Sequence, residues 1–316
     1  MARSRKLEDV LDSLRAVRND LTSDAAIATL QQVLRSKFSI AVAQAAKLVG
    51  SSELYALQPD LVSAFERFMQ KPAETDPGSK AKECIAETLY QLEFSDERLF
   101  LHGLHHIQME ATWGKKVDTA AGLRGICALG LVRMNYPDVM VELADLLADA
   151  DPIARVNAAK AIAYTENREG IPLLRLKVHV GDDHPQVLSE CFVGLLKLDP
   201  ERSLSFASQF LENCPDAFQE AAALALGESR LEAALPVLQQ FWERSQQPEL
   251  RRVGLMAIAM LRHDTAIAFL LSLIAEGTQS DAKDALLALK LYQHEPPLWQ
   301  RVQQAVAQRG DDTLTL

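Results

Sequence analysis

Aromatic residues make up only 6% of this 316-residue chain, and threonine occurs just 11 times. Strands favour aromatic and β-branched side chains, so this scarcity excludes an all-β fold. Cysteine is confined to Cys84, Cys127, Cys191 and Cys214. They lie far apart with no C-x-x-C spacing, so they read as small apolar residues on packed helices in a reducing compartment. Long apolar runs are missing too. The longest, Ala266 to Ala275, is about half of the ~20 residues that a bilayer span requires. The basic start Arg3, Arg5, Lys6 is not followed by the apolar stretch of a secretory signal. A cytoplasmic protein without membrane insertion is the expectation.

Catalytic signatures are equally absent. The chain has no G-x-S-x-G, no P-loop and no G-x-G-x-x-G, and the reading is non-catalytic with no cofactor. What the chain does have is leucine and alanine, 48 and 44 residues, together 29% of the sequence. Both lose little side-chain freedom in a helix. An apolar fraction of 48% is ordinary for a folded protein, which excludes disorder.

The helices repeat. The segments beginning at Pro152, Pro185 and Pro248 each open with proline, which suits a first helical turn, and continue with small and apolar residues at helical spacing. Further copies begin near Ser39, Ser79, Ala121, Pro215 and Ser280, at intervals of 40, 42, 31, 33, 30, 33 and 32 residues. Between them lie second amphipathic segments, such as those at Val139, Ile171 and Ala234. Each unit is therefore a hairpin of a helix A and a helix B. Alone it cannot bury its apolar face, so hairpins stack into an α-solenoid. The expectation is an all-α superhelix of about eight hairpins in one array over residues 24–292. A cap helix in 1–20 precedes it, a second cap spans 298–307, and 308–316 form a tail.

With this period the chain resembles the HEAT-repeat family, in particular the phycobiliprotein-lyase type of HEAT-like repeat. The resemblance implies a recurring Asp in the A–B turn and a basic residue on helix B. Asp76 and Lys82, Asp118 and Arg124, and Asp149 and Arg155 hold those positions, three before and three after a copy start. Arg251 and Lys283 continue the basic series. The copies at Pro185 and Pro215 place Leu188 and Phe218 there instead, which predicts a break in any Asp–Arg ladder. An Asp at such a turn caps helix B, so these pairs are expected to be structural. The resemblance also raises two activities. HEAT-type deoxyhypusine hydroxylases use several His-Glu dipeptides to hold iron, and the single pair His294-Glu295 excludes that chemistry. A lyase- or chaperone-like action on a chromophore- or cofactor-bearing partner stays as the alternative, although no clustered Cys, Arg and Asp set marks a bilin pocket.

Since function lives in sites rather than folds, the surfaces matter most. Positions five, eight and twelve after each copy start are expected to look outward. In the middle copies they include Lys160, Tyr164 and Lys197. Towards the C-terminal end they become Met256, Met260 and Tyr292, flexible or amphipathic groups suited to a partner helix or peptide. The oversized third repeat holds His102, His105, His106 and Trp113. On one helix His102 and His106 would face a common metal, a weak candidate without a third ligand, whereas Trp113 is a candidate partner contact. Residues 1–50 hold 8 basic and 5 acidic residues, residues 51–250 hold 18 and 31, and the remainder 7 and 7. An acidic body repels phosphate backbones, so the expected partner is another protein and not nucleic acid.

Overall fold

The sequence period folds as helices. The computed structural model describes residues 2–18, 20–21, 23–112, 114–310 and 314, with side chains from Lys6 onward. The fold is all-α, of the superhelical hairpin kind, and divides into two compact units, Met1–Thr165 and Glu166–Leu316.

In the first unit α1 (Ala2–Val17) precedes four hairpins. They are α2 (Asp24–Leu34) with α3 (Ser39–Ser51), and α4 (Gln58–Gln70) with the short α5 (Pro72–Thr75) and α6 (Lys80–Gln91). The third pairs α7 (Glu97–Leu104) with α8 (Ala121–Arg133), and the fourth α9 (Val139–Leu147) with α10 (Pro152–Tyr164). Between α7 and α8 stands an antiparallel ribbon of β1 (Met109–Thr112) and β2 (Lys115–Asp118). That ribbon takes up the extra length of the oversized third repeat. Its sequence alternates weakly, and Gly114, with φ +88°, is its one turn signal.

The second unit holds α11 (Gly170–Val180) with α12 (Pro185–Leu198), and α13 (Pro200–Ser208) with α14 (Asp216–Glu228). These are followed by α15 (Ala234–Arg244) with α16 (Pro248–Met260), α17 (Asp264–Glu276) with α18 (Gln279–Leu289), and the terminal α19 (Pro296–Arg309). Proline opens α10, α12 and α16 as the sequence suggests, and Pro200 opens α13 as well. Capping completes several starts: Asp151 accepts from the Ile153 amide and Thr278 from the Asp281 amide. Of the expected tail, Arg309 belongs to α19 and Leu314 is buried. Residues 311–313 and 315–316 lie outside the described residues.

Within each unit the B helices lie side by side, α3–α6–α8–α10 and α12–α14–α16–α18, with the A helices packed on them. Six B helices (α3, α6, α8, α10, α14 and α16) end in a left-handed residue, in turn Glu53, Glu93, Asn135, Glu166, Arg230 and Arg262. In the first three, the next amide bonds back five residues: Leu54 to Val49, Phe94 to Leu89 and Tyr136 to Leu131, at 2.9–3.0 Å. This is the Schellman closure that usually takes glycine. Here the repeat imposes it on other side chains, at a cost of roughly 1–2 kcal/mol per residue.

Small residues set the spacing of the B row. A Cβ added to Gly227 of α14 would stand 2.4 Å from the Ala257 carbonyl oxygen of α16 and 2.8 Å from its Cα. Backbone cannot yield there. A Cβ on Gly122 of α8 would instead meet the Glu83 carboxylate at 2.7 Å, the movable end of a side chain. Gly227→Ala is therefore expected to destabilise by about 1–3 kcal/mol through overpacking. Gly122→Ala should be neutral or stabilising by about 0.5–1 kcal/mol through helix propensity. Urea unfolding of the two variants measures the contrast, and equal midpoints would refute it.

Candidate functional site

The A–B turns of the first unit carry a chain of buried charges. Asp76 and Lys82 are both fully buried, with Lys82 Nζ 3.0 Å from Asp76 Oδ2. Asp76 also accepts from the Ala81 and Lys82 amides at 2.9 and 3.0 Å, so it caps α6. Burial pulls the Lys82 ammonium below its ordinary pKa, and the Asp76 charge offsets part of that. One repeat further on, Arg124 donates to Asp118 Oδ2 at 2.6 Å and to Asp149 Oδ1 at 2.9 Å, joining two successive turns. Asp149 in turn caps its own turn through the Asp151 amide, while Arg155 donates to the carbonyls of Asp149 and Ala150.

In the second unit the position changes hands. Asp182, three residues before the start of α12, is met at 2.8 Å by Lys177 from the preceding helix. Leu188, at the position where other copies place a base, is buried. In the later copies Arg251 bridges the Trp242 carbonyl at 3.0 Å and Asp281 at 2.7 Å, with its guanidinium 4.6 Å from the Trp242 ring centre. Lys283 is exposed. The geometry of these groups is that of turn braces. The carboxylates accept from backbone amides, and the basic groups donate to backbone carbonyls and to carboxylates of the same or the next turn.

The histidines do not share a helix. α7 ends at Leu104, so His105 is its cap and His106 lies beyond it. This separates His102 from His106 and removes the spacing on which the metal candidate rested. His105 pairs with Glu142 at 2.7 Å, and His106 with the Gln108 side chain at 3.2 Å. Burial lowers the pKa of His106. Among the described residues no group of three or more His, Cys, Asp or Glu side chains is placed to hold a metal. Trp113 lies outside the described residues.

The left-handed residues give a common register for the B helices. Counting back two and six positions from each, the outward pairs are Lys47/Ser51, Glu87/Gln91, Leu129/Arg133 and Lys160/Tyr164 in the first unit. Tyr164 is 61% exposed. In the second unit they include Leu224/Glu228 and Met256/Met260, with Val193/Lys197 at the same distances from the start of α12. Met256, Met260, Leu224 and Val193 are half-buried, and Lys197 is exposed. The last copy needs a correction. Tyr292 is only 2% exposed, and its hydroxyl donates to the Ala259 carbonyl. Ala285 and Ala288 are buried too. The reason is the Thr278 cap, which starts α18 at Gln279 rather than Ser280. A one-residue shift puts Leu287 and Leu291 at the outward positions, where they are 52% and 49% exposed.

Acid should loosen the turn braces. Burial opposes the charged form of Asp118, but hydrogen bonds from the Ala120 and Gln108 amides and from Arg124 outweigh it and hold the carboxyl below its ordinary value. A depressed pKa contributes stability that is present above the unfolded value, about 3.9, and is lost as pH falls through the folded one. Asp118→Asn should therefore destabilise the protein at neutral pH by about 3 kcal/mol, because Arg124 loses a buried partner. The difference from the natural protein should shrink below about pH 4. Melting curves between neutral and acid pH test this, and a pH-independent difference would refute it.

The family comparison agrees with this architecture. A family model described as HEAT repeats matches residues 140–227 and 204–290. No curated protein matches the chain by sequence. Among solved structures it is similar to the complex of CpcE and CpcF of phycocyanin lyase from a Nostoc species, with 18% identity over 72% of this chain and 89% of that one and a TM-score of 0.38. It is also similar to human deoxyhypusine hydroxylase in complex with glycerol, with 17% identity over 89% of both chains and a TM-score of 0.28. A third is an engineered protein, with 13% identity over 96% of this chain and 95% of that one and a TM-score of 0.35. No helix among the described residues is long and apolar enough to cross a membrane. Residues 140–290 of this chain are HEAT repeats, and the hairpins that precede them, α2 to α8, have the same helix-turn-helix form.

Proposed function

We propose that this helical-repeat protein is a non-catalytic scaffold that holds another protein on the outward faces of its B helices in the unit Glu166–Leu316. One observation carries the reading. Val193, Leu224, Met256, Met260, Leu287 and Leu291 take six of the eight outward positions along α12, α14, α16 and α18, Lys197 and Glu228 take the other two, and Leu287 and Leu291 are about half exposed. The corresponding positions of the first unit are mostly polar or charged. Burying an apolar side chain is worth about 1.5–3 kcal/mol, so an apolar stripe left in water favours association.

The composition of the stripe indicates the kind of partner. Methionine and leucine are adaptable and set no fixed geometry, which suits the apolar face of an amphipathic helix or an extended apolar peptide. Lys197 and Glu228 at the margin, together with exposed Lys283 and Lys290, supply a charged rim that selects register more than affinity. Lys160 and Tyr164 occupy the equivalent positions on α10 and are proposed as contacts of the same kind on the first unit.

The variant Met256→Glu with Leu287→Glu tests the reading. It should keep its helical circular dichroism and cooperative melting while losing the partner recovered by affinity capture with the natural protein. Loss of folding would place these side chains in the core. A folded variant that retains every partner would move the binding face elsewhere.

A further inference from the structure

The ribbon β1–β2 is built in an unusual way for so small an element. A two-stranded hairpin is marginal in water by itself, and this one contributes almost nothing to a core: six of its eight strand residues are exposed, and the other two, Glu110 and Asp118, are only half-buried. Its order comes from its base. Glu110 accepts from the Gly78 amide at 2.8 Å, from the Thr119 hydroxyl at 2.9 Å and from Gln108. Asp118 accepts from the Gln108 and Ala120 amides, each at 3.0 Å, and from Arg124. Gln108, buried, also donates to the Asp76 carbonyl at 2.9 Å. The ribbon is thus held by the same charges that brace the repeats.

This anchoring changes the electrostatics of what protrudes. Both ribbon carboxylates are engaged at the base, which leaves Lys115 and Lys116 as the exposed charges at the far end. They stand on a chain whose net charge is −10. The pairing register, Glu110 with Val117, Ala111 with Lys116 and Thr112 with Lys115, puts Val117 and Lys115 on one face and Lys116 on the other. No third strand lies beside β2 among the described residues. An open strand edge pairs with an extended chain through its backbone, and the side chains alternate in what they meet.

We infer that the outer edge of β2 takes an extended, acidic segment of a partner protein by strand addition. Opposite Val117, Lys116 and Lys115 in turn, the added strand presents one apolar and then two acidic residues. Opposite-charge pairs across strands stabilise, and like charges repel. Two lysines on an acidic body are too few to track a phosphate backbone. The inference uses a surface separate from the apolar stripe of the other unit and stands if that stripe has no partner.

A labelled ten-residue peptide of alternating threonines around a valine-glutamate-glutamate core serves as the probe, read by fluorescence anisotropy on the full chain. Binding should weaken about tenfold or more when Lys115→Glu and Lys116→Glu are combined, and similarly when the peptide backbone is N-methylated. Both lysines are exposed, so the melting temperature of the variant should not move. Met256→Glu should bind the peptide as the natural protein does. No binding to the natural protein overturns the inference, as does binding that survives the double substitution. Binding indifferent to N-methylation would mean charge attraction without strand addition and overturns it too. Displacement of the peptide by a single-stranded oligonucleotide at equal concentration would reassign the edge to nucleic acid.

Discussion

The close approach of neighbouring B helices is the constraint on which the rest depends. Gly227 lies so near the Ala257 backbone that a single methyl would collide with it. Gly125 faces the Asn157 side chain at close range, and Gly50 those of Thr88 and Gln91. Alanine and glycine along this seam leave no room for large side chains between the B helices. The bulk of the core must then come from leucine and phenylalanine at the A–B seam, such as Leu61, Phe65, Phe100 and Phe192, all fully buried or nearly so. The leucine- and alanine-rich composition follows from that division of labour. So does the identity of the outward face: what does not fit the seam or the A helices points to solvent.

Tight rows leave the turns to resolve what the helices cannot. Helix ends expose amides and carbonyls without partners, and in the first unit these are met by Asp76, Asp118 and Asp149, with Lys82, Arg124 and Arg155 set against them. The charges serve geometry more than energy, since buried ion pairs recover little beyond their own desolvation. Arg124 joins two turns and also donates to the His106 carbonyl at 3.0 Å, so it fixes where the ribbon leaves the array. An exposed arm and an internal brace thereby share one guanidinium.

Much of this was legible beforehand. The copy starts at Pro152, Pro185 and Pro248 open helices because proline at a first turn carries a physical meaning that survives any tertiary context. The Asp and basic positions were legible through the period. Tyr292 was not. Its register depended on whether Thr278 or a later residue caps α18, a difference of one residue that turns a side chain from solvent to core. The metal candidate failed for a related reason, since periodicity does not mark where α7 stops. The ribbon escaped notice because Met109-Glu-Ala-Thr has no strong alternation and a single β-branched residue, Thr112, and its order is borrowed from Gln108, Glu110 and Asp118.

By itself the sequence determined the helical class, the repeat period and the chemical drift of the outward positions from polar to apolar, because each is a local property written at fixed spacing. The tertiary structure alone decided which side chain at each boundary is inside, which carboxylate meets which base, and that an insertion becomes a braced ribbon. Those outcomes turn on contacts 25 to 32 residues apart, as between Arg124 and Asp149 or between Gly78 and Glu110. Such contacts exist only once the hairpins have stacked.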